Sequence, residues 1–487
     1  MKNLFKLFLD ENRTNFYFIL YTLLIFCYML FSFIESRKDY CFFILIFFII
    51  FIYVILRNIP NKENKIEFVL LGIIFRIATL GSYPILSDDW HRFFWDGYLC
   101  YNLTNPYSFS PSVFIEQNPI IPSILYSSYL NMNSKNYYSV YPPILQSIFS
   151  LPWLFNIEEN AIITYQCLLL TVEVLNLFLI YIISEKKSGD FLWVYATNPL
   201  IVLESVSQIH FDSLILSIIL IFIITKKNYP YFQVFKESIK RIINKSIGWL
   251  LKERYLHFHY LKENQVIPDF VKNRIYLFFF ILILTNLKIS LVLSILLFIP
   301  NLPRSESKYI LLSLLTPLFF LIFIGLSGNQ EKMGLGLFVF SFRFNGIIET
   351  FIYSFLNSQF SDFTYLSGMI GIFLLIVVSI FINRNKDIKV FYWNFFFLSF
   401  LFLPVNHPWY FIPLMGLAFD KKSLVKSEII SVLLLLSYLN YTNLNMRYKE
   451  IYKFIEILVM FGVIYGRQCY YYIFKKYKFG NSKNENC

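Results

Sequence analysis

The segment from Ser87 to Pro111, SDDWHRFFWDGYLCYNLTNPYSFSP, concentrates ionisable side chains directly after an apolar stretch that ends near Leu86. It contains three carboxylates and one guanidinium, which are Asp88, Asp89, Asp96 and Arg92. Ionisable groups at the edge of a bilayer are costly to desolvate and therefore usually mark a functional site. Paired acids followed by aromatic residues and Asn-Pro-Tyr indicate a carbohydrate-handling loop. The alternative is an ordinary solvated loop, which the aromatic residues between positions 90 and 95 disfavour.

Further polar residues lie at the ends of other apolar stretches: His210, Asp212, Lys288, Arg343 and His407. His210 and Asp212 could form a polar helix turn or contact a sugar or phosphate. Lys288 could bind phosphate or extend its amine to the membrane surface, and Arg343 can offer a bidentate fork to phosphate.

No metal or cofactor is predicted by ligand spacing. His210 and Asp212 lack an accompanying His-x-x-x-His or Cys pair, which disfavours zinc, and nothing in the spacing supports a divalent cation. The six cysteines imply neither a metal site nor a disulfide framework.

Composition assigns the chain to the integral membrane proteins. Of 487 residues, 57% are hydrophobic and only 15% are charged, with a mean hydropathy of +0.56, whereas soluble domains carry about 25% charged residues. The net charge of +12 is explained by membrane orientation, so no nucleic-acid partner is predicted. Apolar stretches fall near 15–34, 41–56, 67–86, 161–183, 191–207, 213–225, 275–300, 309–326, 365–382, 390–404, 408–419, 426–440 and 452–466.

These stretches predict an all-α polytopic bundle of about 11 to 14 transmembrane helices, with the 275–300 stretch divided by Lys288 into two half-helices. With the N-terminus inside, nearly all Lys/Arg-rich loops become cytoplasmic. The insert 226–274 holds 11 Lys/Arg against 4 Asp/Glu, whereas 87–141 holds 2 against 4. The short loop with Arg37 and Lys38 falls outside and is an exception. The acid pair and the other unusual polar residues all fall on the non-cytoplasmic face.

We expect one membrane-embedded domain over 1–487. Residues 87–160 form its extracytoplasmic loop and 467–487 a cytoplasmic tail. The basic insert 226–274 is predicted to lie on the cytoplasmic leaflet and to contact membrane lipids.

Five segments, taken in order, resemble the GT-C superfamily of polyprenol-phosphate-sugar-dependent glycosyltransferases. They are SDDWHRFFWDG with NPYSFSP (87–111), VYPPILQSIF (140–149), ATNPLIVLESVSQIHFDS (196–213), FSFRFNG (340–346) and NHPWYFIP (406–413). The pattern is more closely similar to bacterial mannosyltransferase-like membrane proteins related to the GPI mannosyltransferases. The likeness implies a helix bundle with its active site in the first large extracytoplasmic loop. It also implies a sugar donor on a polyprenyl phosphate and inversion at the anomeric carbon.

The resemblance implies that an acid in the loop acts as base on an acceptor hydroxyl. Asp88 is the first choice for the base and Asp89 for positioning the acceptor, although the two roles could be exchanged. Arg92 could share a helical face with Asp88 as a structural salt bridge or a substrate contact, and Asp96 could be a helix-end or a functional residue. Trp409 could stack on a sugar or belong to the aromatic belt. The predicted substrate contacts are Arg92, Asp96, Tyr107, His210, Asp212, Lys288, Arg343, Asn345, His407, Trp409 and Tyr410.

The implied reaction moves a mannose-like hexose to an envelope glycan, lipid or protein. An AT-rich bacterial source would place the outer face in the periplasm, at the inner membrane. Alternatives are a lipid-linked glycan transporter or flippase, a non-catalytic envelope assembly factor, and a wall-polymer ligase or polymerase.

The first prediction concerns topology. Asp88 and His407 should face outward, and Lys245 and the C-terminus should face the cytoplasm, because the Lys/Arg-rich loops alternate in that pattern. Single cysteines at these positions, labelled with a membrane-impermeant reagent in intact cells, test the assignment. Labelling of a Lys245→Cys variant from outside would contradict it.

Overall fold

The structure is a computed structural model that describes residues 2–57, 65–184, 189–227, 281–284, 287, 288, 290–298, 343–384, 386–441, 458, 459 and 462. Its helices, numbered in chain order within these ranges, are α1 Lys2–Phe31, α2 Tyr40–Arg57, α3 Lys65–Ile77, α4 Asp89–Tyr101, α5 Pro111–Gln117, α6 Ser123–Asn131, α7 Pro143–Phe149, α8 Leu151–Leu154, α9 Ala161–Ile183, α10 Asp190–Thr197, α11 Pro199–Val202, α12 Asp212–Lys227, α13 Ser290–Phe298, α14 Ile348–Gln359, α15 Ser367–Asn383, α16 Ile388–Phe402, α17 Ile412–Gly416 and α18 Lys421–Leu436. Most of the insert 226–274, the predicted span 309–326, nearly all of 452–466 and the tail 467–487 lie outside the described residues.

The described part is helical, as expected, and its only strand-like pairing is an isolated bridge of Phe344 and Asn345 with Val405. Three of its helices are long and apolar enough to cross a membrane: Tyr40–Arg57, Glu158–Ile183 and Ser361–Asn383. A fourth crossing is formed if the bent pair Pro199–Ser207 and Asp212–Thr225 counts as one span.

Two predicted spans are wrong. The stretch 67–86 ends its helix at Ile77, because Gly81 (φ +78°) and Pro84 follow. The stretch 408–419 forms a single 3₁₀ turn and the short helix α17, since it contains two prolines that interrupt helical hydrogen bonding.

The segment between α3 and α9 folds into five short helices, α4 to α8, packed around aromatic rings. Phe93 of α4 stacks on Phe149 of α7 at 4.6 Å and meets Phe211, which precedes α12, at 5.5 Å. Gly97 permits this packing, because a Cβ atom there would lie 2.0 Å from the carbonyl oxygen of Phe149. The sequence segments 87–97, 143–149 and 211–212 therefore meet.

Polar contacts group the loops at two ends of the bundle. Arg37, just before α2, contacts Asp88, whereas Arg57, the last residue of α2, contacts Asp190 and Glu428. The 18 residues of α2 separate these groups by about 27 Å at 1.5 Å per residue. Arg37, the exception to the charge pattern, is thus paired with an acid at the end to which the sequence assigns it.

A fully buried ion pair joins α3 to α9. Arg76 donates from Nε to Glu173 at 2.8 Å and from its other nitrogens to the carbonyls of Gly72, Ala196 and Tyr195. The Tyr195 hydroxyl donates to the same carboxylate, and both charged side chains are 0% exposed. Because their hydrogen-bonding capacity is largely used, the pair positions α3, and with it the loop that leads to the acid pair.

Glu173→Gln should therefore lower the free energy of unfolding by about 3–5 kcal/mol, since it leaves the Arg76 charge buried without its carboxylate. The double variant Arg76→Met/Glu173→Leu should lower the free energy of unfolding much less, because no buried charge is left without its partner. Equilibrium unfolding in mixed detergent micelles measures both values, with exposed Glu159→Gln as a control that should change stability by less than about 0.5 kcal/mol. Equal effects of Glu173→Gln and Glu159→Gln would contradict this role.

Candidate active site

Two buried glutamines hold the segment 81–88 that leads to the acid pair. Gln166 of α9 accepts a hydrogen bond from the Gly81 amide and donates to the carbonyls of Ser82 and Ser207. Gln208 accepts from the Leu86 amide at 2.7 Å. Buried backbone polar groups need partners, so these side chains determine the path of the chain toward Asp88.

The two acids of the pair have different environments. Asp88 lies 3.1 Å from Arg37 in a salt bridge and remains 39% exposed. Asp89, the first residue of α4, is half-buried and has no salt bridge in the described part of the chain. Burial, followed by the neighbouring Asp88 carboxylate, raises the pKa of Asp89 to about 6, against smaller effects of Ser87 and Arg37. A carboxylate that titrates near neutral pH suits a general base, so the geometry favours Asp89 over Asp88 for that role.

Arg92 does not pair with Asp88, contrary to the expectation from their spacing. Its Nε donates to Asp96 at 2.7 Å, and its Nη1 donates to the carbonyls of Ser134 and Tyr137. Asp96 also accepts from Ser139 and Gln146. Arg92 and Asp96 are buried, because the helix α4 turns its i,i+4 pair into the core of the loop. Their contacts are structural, within the folded loop 87–160.

Tyr107 connects two parts of the same loop. Its hydroxyl donates to the Tyr141 carbonyl at 2.6 Å, and its side chain is buried. Tyr141 in turn packs its ring against Phe93 and Phe149. Tyr107 thereby joins the NPYSFSP segment to the VYPP segment.

Asp212 is the first residue of α12, just after a break between two helices. α11 continues as a π-helical turn, Leu203–Ser207, after which the chain bends by 111° into α12. At the bend, Ile209 has φ +59°, a left-handed conformation that is rare and costly for a β-branched residue. Such strain and π-helical turns occur most often at functional sites. The bend places His210 and Asp212 at the same end of the bundle as the acid pair.

Lys288 lies against Asp212. The chain is not helical at Lys288, in agreement with the predicted break, and helix α13 begins two residues later. The Lys288 Nζ atom is 2.6 Å from Asp212 Oδ1 and 3.2 Å from the centre of the Tyr410 ring. A cation is therefore held between a carboxylate and an aromatic face, and the Asp89 carboxylate favours its charge.

Trp409 is enclosed in a column of rings. His210 stacks on it at 3.8 Å and His407 at 4.4 Å, and Phe344 stacks on His407 at 5.1 Å. Both histidine rings lie nearly parallel to the Trp409 ring and close to its centre, and they would overlap if they lay on the same face. They therefore cover opposite faces of Trp409. Trp409 is 6% exposed, so neither a sugar nor the membrane surface has access to its faces. Both readings of Trp409 are wrong, because the tertiary packing fills its two faces.

In this column His210 is buried and His407 is half-buried. Burial, together with the nearby Lys288 charge, lowers the pKa of His407 to about 3, so that its ring is neutral at pH 7. His210 Nε2 lies 3.4 Å from Glu204 Oε2, but the two atoms are not aligned for a hydrogen bond. Glu204 also accepts from the Tyr438 hydroxyl at 2.6 Å.

Arg343 is paired with a carboxylate of its own part of the chain. Its Nε donates to the buried Glu349 at 2.9 Å, its Nη2 donates to Ser367 and Thr364, and its guanidinium lies over the Tyr353 ring. Glu349, six residues further along the chain, thus binds the Arg343 guanidinium, which the sequence analysis assigned to phosphate.

Asn345 links two of the motif segments. The Phe344 amide donates to the Pro404 carbonyl at 2.9 Å, and the Asn406 amide donates to the Phe344 carbonyl at 2.7 Å. The side chains of Asn345 and Asn406 donate to each other's backbone carbonyl. Asn345 adopts φ +55°, which asparagine tolerates better than most residues.

Contacts therefore link the described parts of all five motif segments. Phe93, Phe149 and Phe211 join the first three segments. The last three are joined by the rings of His210, Trp409, His407 and Phe344. Sequence reasoning missed Arg37, Gln166, Gln208 and Glu204. A signal existed for Gln166 and Glu204, since each is a polar residue inside an apolar stretch, whereas the role of Arg37 depends on contacts 49 and 51 residues away. Among the described residues, no group of three His, Cys, Asp or Glu side chains is arranged to hold a metal ion.

Comparison with known protein families, curated proteins and solved structures finds no match for this chain. The function is therefore argued from the residues and contacts described above.

The raised pKa of Asp89 predicts a pH-dependent cost to folding. Between pH about 4 and about 6 the folded chain holds a proton at Asp89 that the unfolded chain has released, so this residue's contribution to stability falls as pH rises through that window. Asp89→Asn should gain stability relative to the native protein across the window and keep that gain above pH 6. Thermal unfolding from pH 4 to 8 measures the difference, and Asp362→Asn, at an exposed acid, controls for loss of one charge. A difference that is constant with pH would contradict the assignment.

Proposed function

We propose that this chain is a multi-pass membrane glycosyltransferase of GT-C type. It moves a mannose-like hexose from a polyprenyl-phosphate donor to a glycan, lipid or protein of the cell envelope. The observation that carries the proposal is that direct ring contacts link the five motif segments. One of these segments carries the half-buried acid Asp89, and two others, through Asp212 and Tyr410, hold the Lys288 cation. This is the pair of groups that a displacement at a phosphate-bearing carbon requires.

In the proposed reaction, the Asp89 carboxylate accepts the proton of the acceptor hydroxyl. The acceptor oxygen then forms a bond to the anomeric carbon, on the face opposite the phosphate. The bond from that carbon to the phosphate oxygen breaks, and polyprenyl phosphate leaves with the electron pair. A single displacement of this kind inverts the anomeric configuration and needs no second carboxylate as acid, in contrast to glycoside hydrolysis.

Lys288 would stabilise the charge that develops on the leaving phosphate. Its Nζ is fixed by Asp212 and the Tyr410 ring, so little reorganisation is needed when the charge appears. Asp88, held by Arg37, is better suited to accept hydrogen bonds from acceptor hydroxyls than to take a proton. The roles of the acid pair are thus exchanged relative to the first choice from sequence.

The charge distribution of the sequence favours an active site on the extracytoplasmic face. In a bacterium this face would be the periplasmic side of the inner membrane. The three described helices that can cross a membrane support a membrane location, and the remaining crossings and their total of about 11 to 14 belong to this proposal.

A transporter for lipid-linked glycans is the second candidate. The broken span with its 111° bend and the Lys288–Asp212 pair next to it are features that transporters use to bind substrates near the middle of the membrane. A proton-coupled transporter would also use an acid that titrates near neutral pH, so transfer of the sugar, and not the protonation of Asp89, distinguishes the two candidates.

Asp89→Asn should reduce sugar transfer by about 10²–10⁴-fold, because it removes the base and keeps the shape of the side chain. Asp88→Asn should reduce transfer less. Membranes containing each variant are assayed with a panel of radiolabelled polyprenyl-phosphate sugars and an envelope extract as acceptor. Normal turnover by Asp89→Asn would refute the mechanism, and sugar movement across sealed vesicles without transfer would favour the transporter.

A further inference from the structure

Arg37 contacts the acid pair from outside the loop that carries it. This residue lies between α1 and α2, and its side chain is 17% exposed. Its Nη1 donates to the Leu86 carbonyl at 2.5 Å, and its Nη2 donates to Asp88 Oδ2 at 3.1 Å. One guanidinium therefore engages both the backbone that leads to the acid pair and the first acid itself.

The Leu86 peptide groups are held by two different parts of the chain. The amide donates to Gln208, at the bend before α12, and the carbonyl accepts from Arg37. Leu86 itself is buried and lies three residues before Asp89. Because both polar groups of this residue are engaged, the direction in which the chain enters α4 depends on Arg37 as well as on Gln208.

Arg37 also sets the charge next to Asp89. Asp88 carries a negative charge beside Asp89, and Arg37 partly compensates it, so the two have opposite effects on the pKa of Asp89. Charged and titratable groups face Asp89 from several elements: Asp88, Arg37, Asp212, Lys288, Tyr141 and Tyr410. Of the two cations, Arg37 lies in the loop between α1 and α2, whereas Lys288 is held by Asp212.

We propose that Arg37 is a positioning residue of the active site. It fixes the entry to α4 through Leu86 and holds Asp88 as a hydrogen-bond acceptor, so that Asp89 alone acts as base. The N-terminal helices α1 and α2 are then part of the catalytic unit and not only a membrane anchor. This inference rests on the proposed glycosyl transfer.

The test compares Arg37→Gln with Arg37→Lys and with a matched control, Lys38→Gln. Lys38 is the next residue and is exposed, and its side chain makes no hydrogen bond or ion pair with the described part of the chain. Its replacement therefore removes the same charge from the same loop. The dependence of the transfer rate on pH is measured for each variant, together with thermal stability.

For Arg37→Gln we expect the acidic limb of the profile to move to higher pH. A rise of about one pKa unit from about 6 would leave transfer at pH 6 about fivefold below that of Lys38→Gln. Arg37→Lys should restore part of the loss, since it returns the charge without the fork. Asp88→Asn should move the acidic limb to lower pH. The double variant Arg37→Gln/Asp88→Asn should have its acidic limb close to that of the native protein.

Two outcomes would overturn the inference. One is an Arg37→Gln profile that matches Lys38→Gln. The other is a loss of activity that follows thermal stability alone, with no movement of the acidic limb and no compensation by Asp88→Asn. If the native protein transfers no sugar from any donor, the proposed function fails instead. In that case, the role of Arg37 at Asp88 is judged from whether Asp88→Asn removes the effect of Arg37→Gln on stability.

Discussion

The requirement that buried polar groups find partners determines how this chain builds a site in an apolar bundle. Gln166 and Gln208 satisfy backbone groups of the segment 81–88, and Arg76 satisfies both Glu173 and three carbonyls. Without these contacts each group would carry a desolvation cost of about 1–3 kcal/mol. The path of the chain into α4, and therefore the position of Asp89, follows from these few side chains.

The same requirement pairs most charged side chains of the site with an opposite charge. Arg92 is taken by Asp96, Arg343 by Glu349 and Lys288 by Asp212. Most candidate cations thus have a carboxylate of their own within the fold. Asp89 differs, because its nearest charges are like-signed Asp88 and the partly compensating Arg37. An acid left in this state is the group most ready to take a proton from a substrate.

The break between α11 and α12 serves the site in a second way. A π-helical turn, the strained Ile209 and the 111° bend turn the chain so that His210 joins the ring column and Asp212 reaches Lys288. A straight helix over the same residues would place these side chains about a turn apart along one axis. The strain is therefore tied to a geometry that regular secondary structure cannot provide.

The sequence by itself determined the helical class and several apolar helices of the described part of the chain, and it predicted that the unusual polar residues lie at one end. These properties follow from local composition and from the alternation of charge along the chain. The tertiary structure alone decided which charges pair. Asp88 pairs with Arg37 instead of Arg92, and Trp409 is covered on both faces by histidine rings. The Arg37–Asp88 pair and the stacking of His210 on Trp409 join residues dozens to hundreds of positions apart, where the spacing along the chain carries no information about distance.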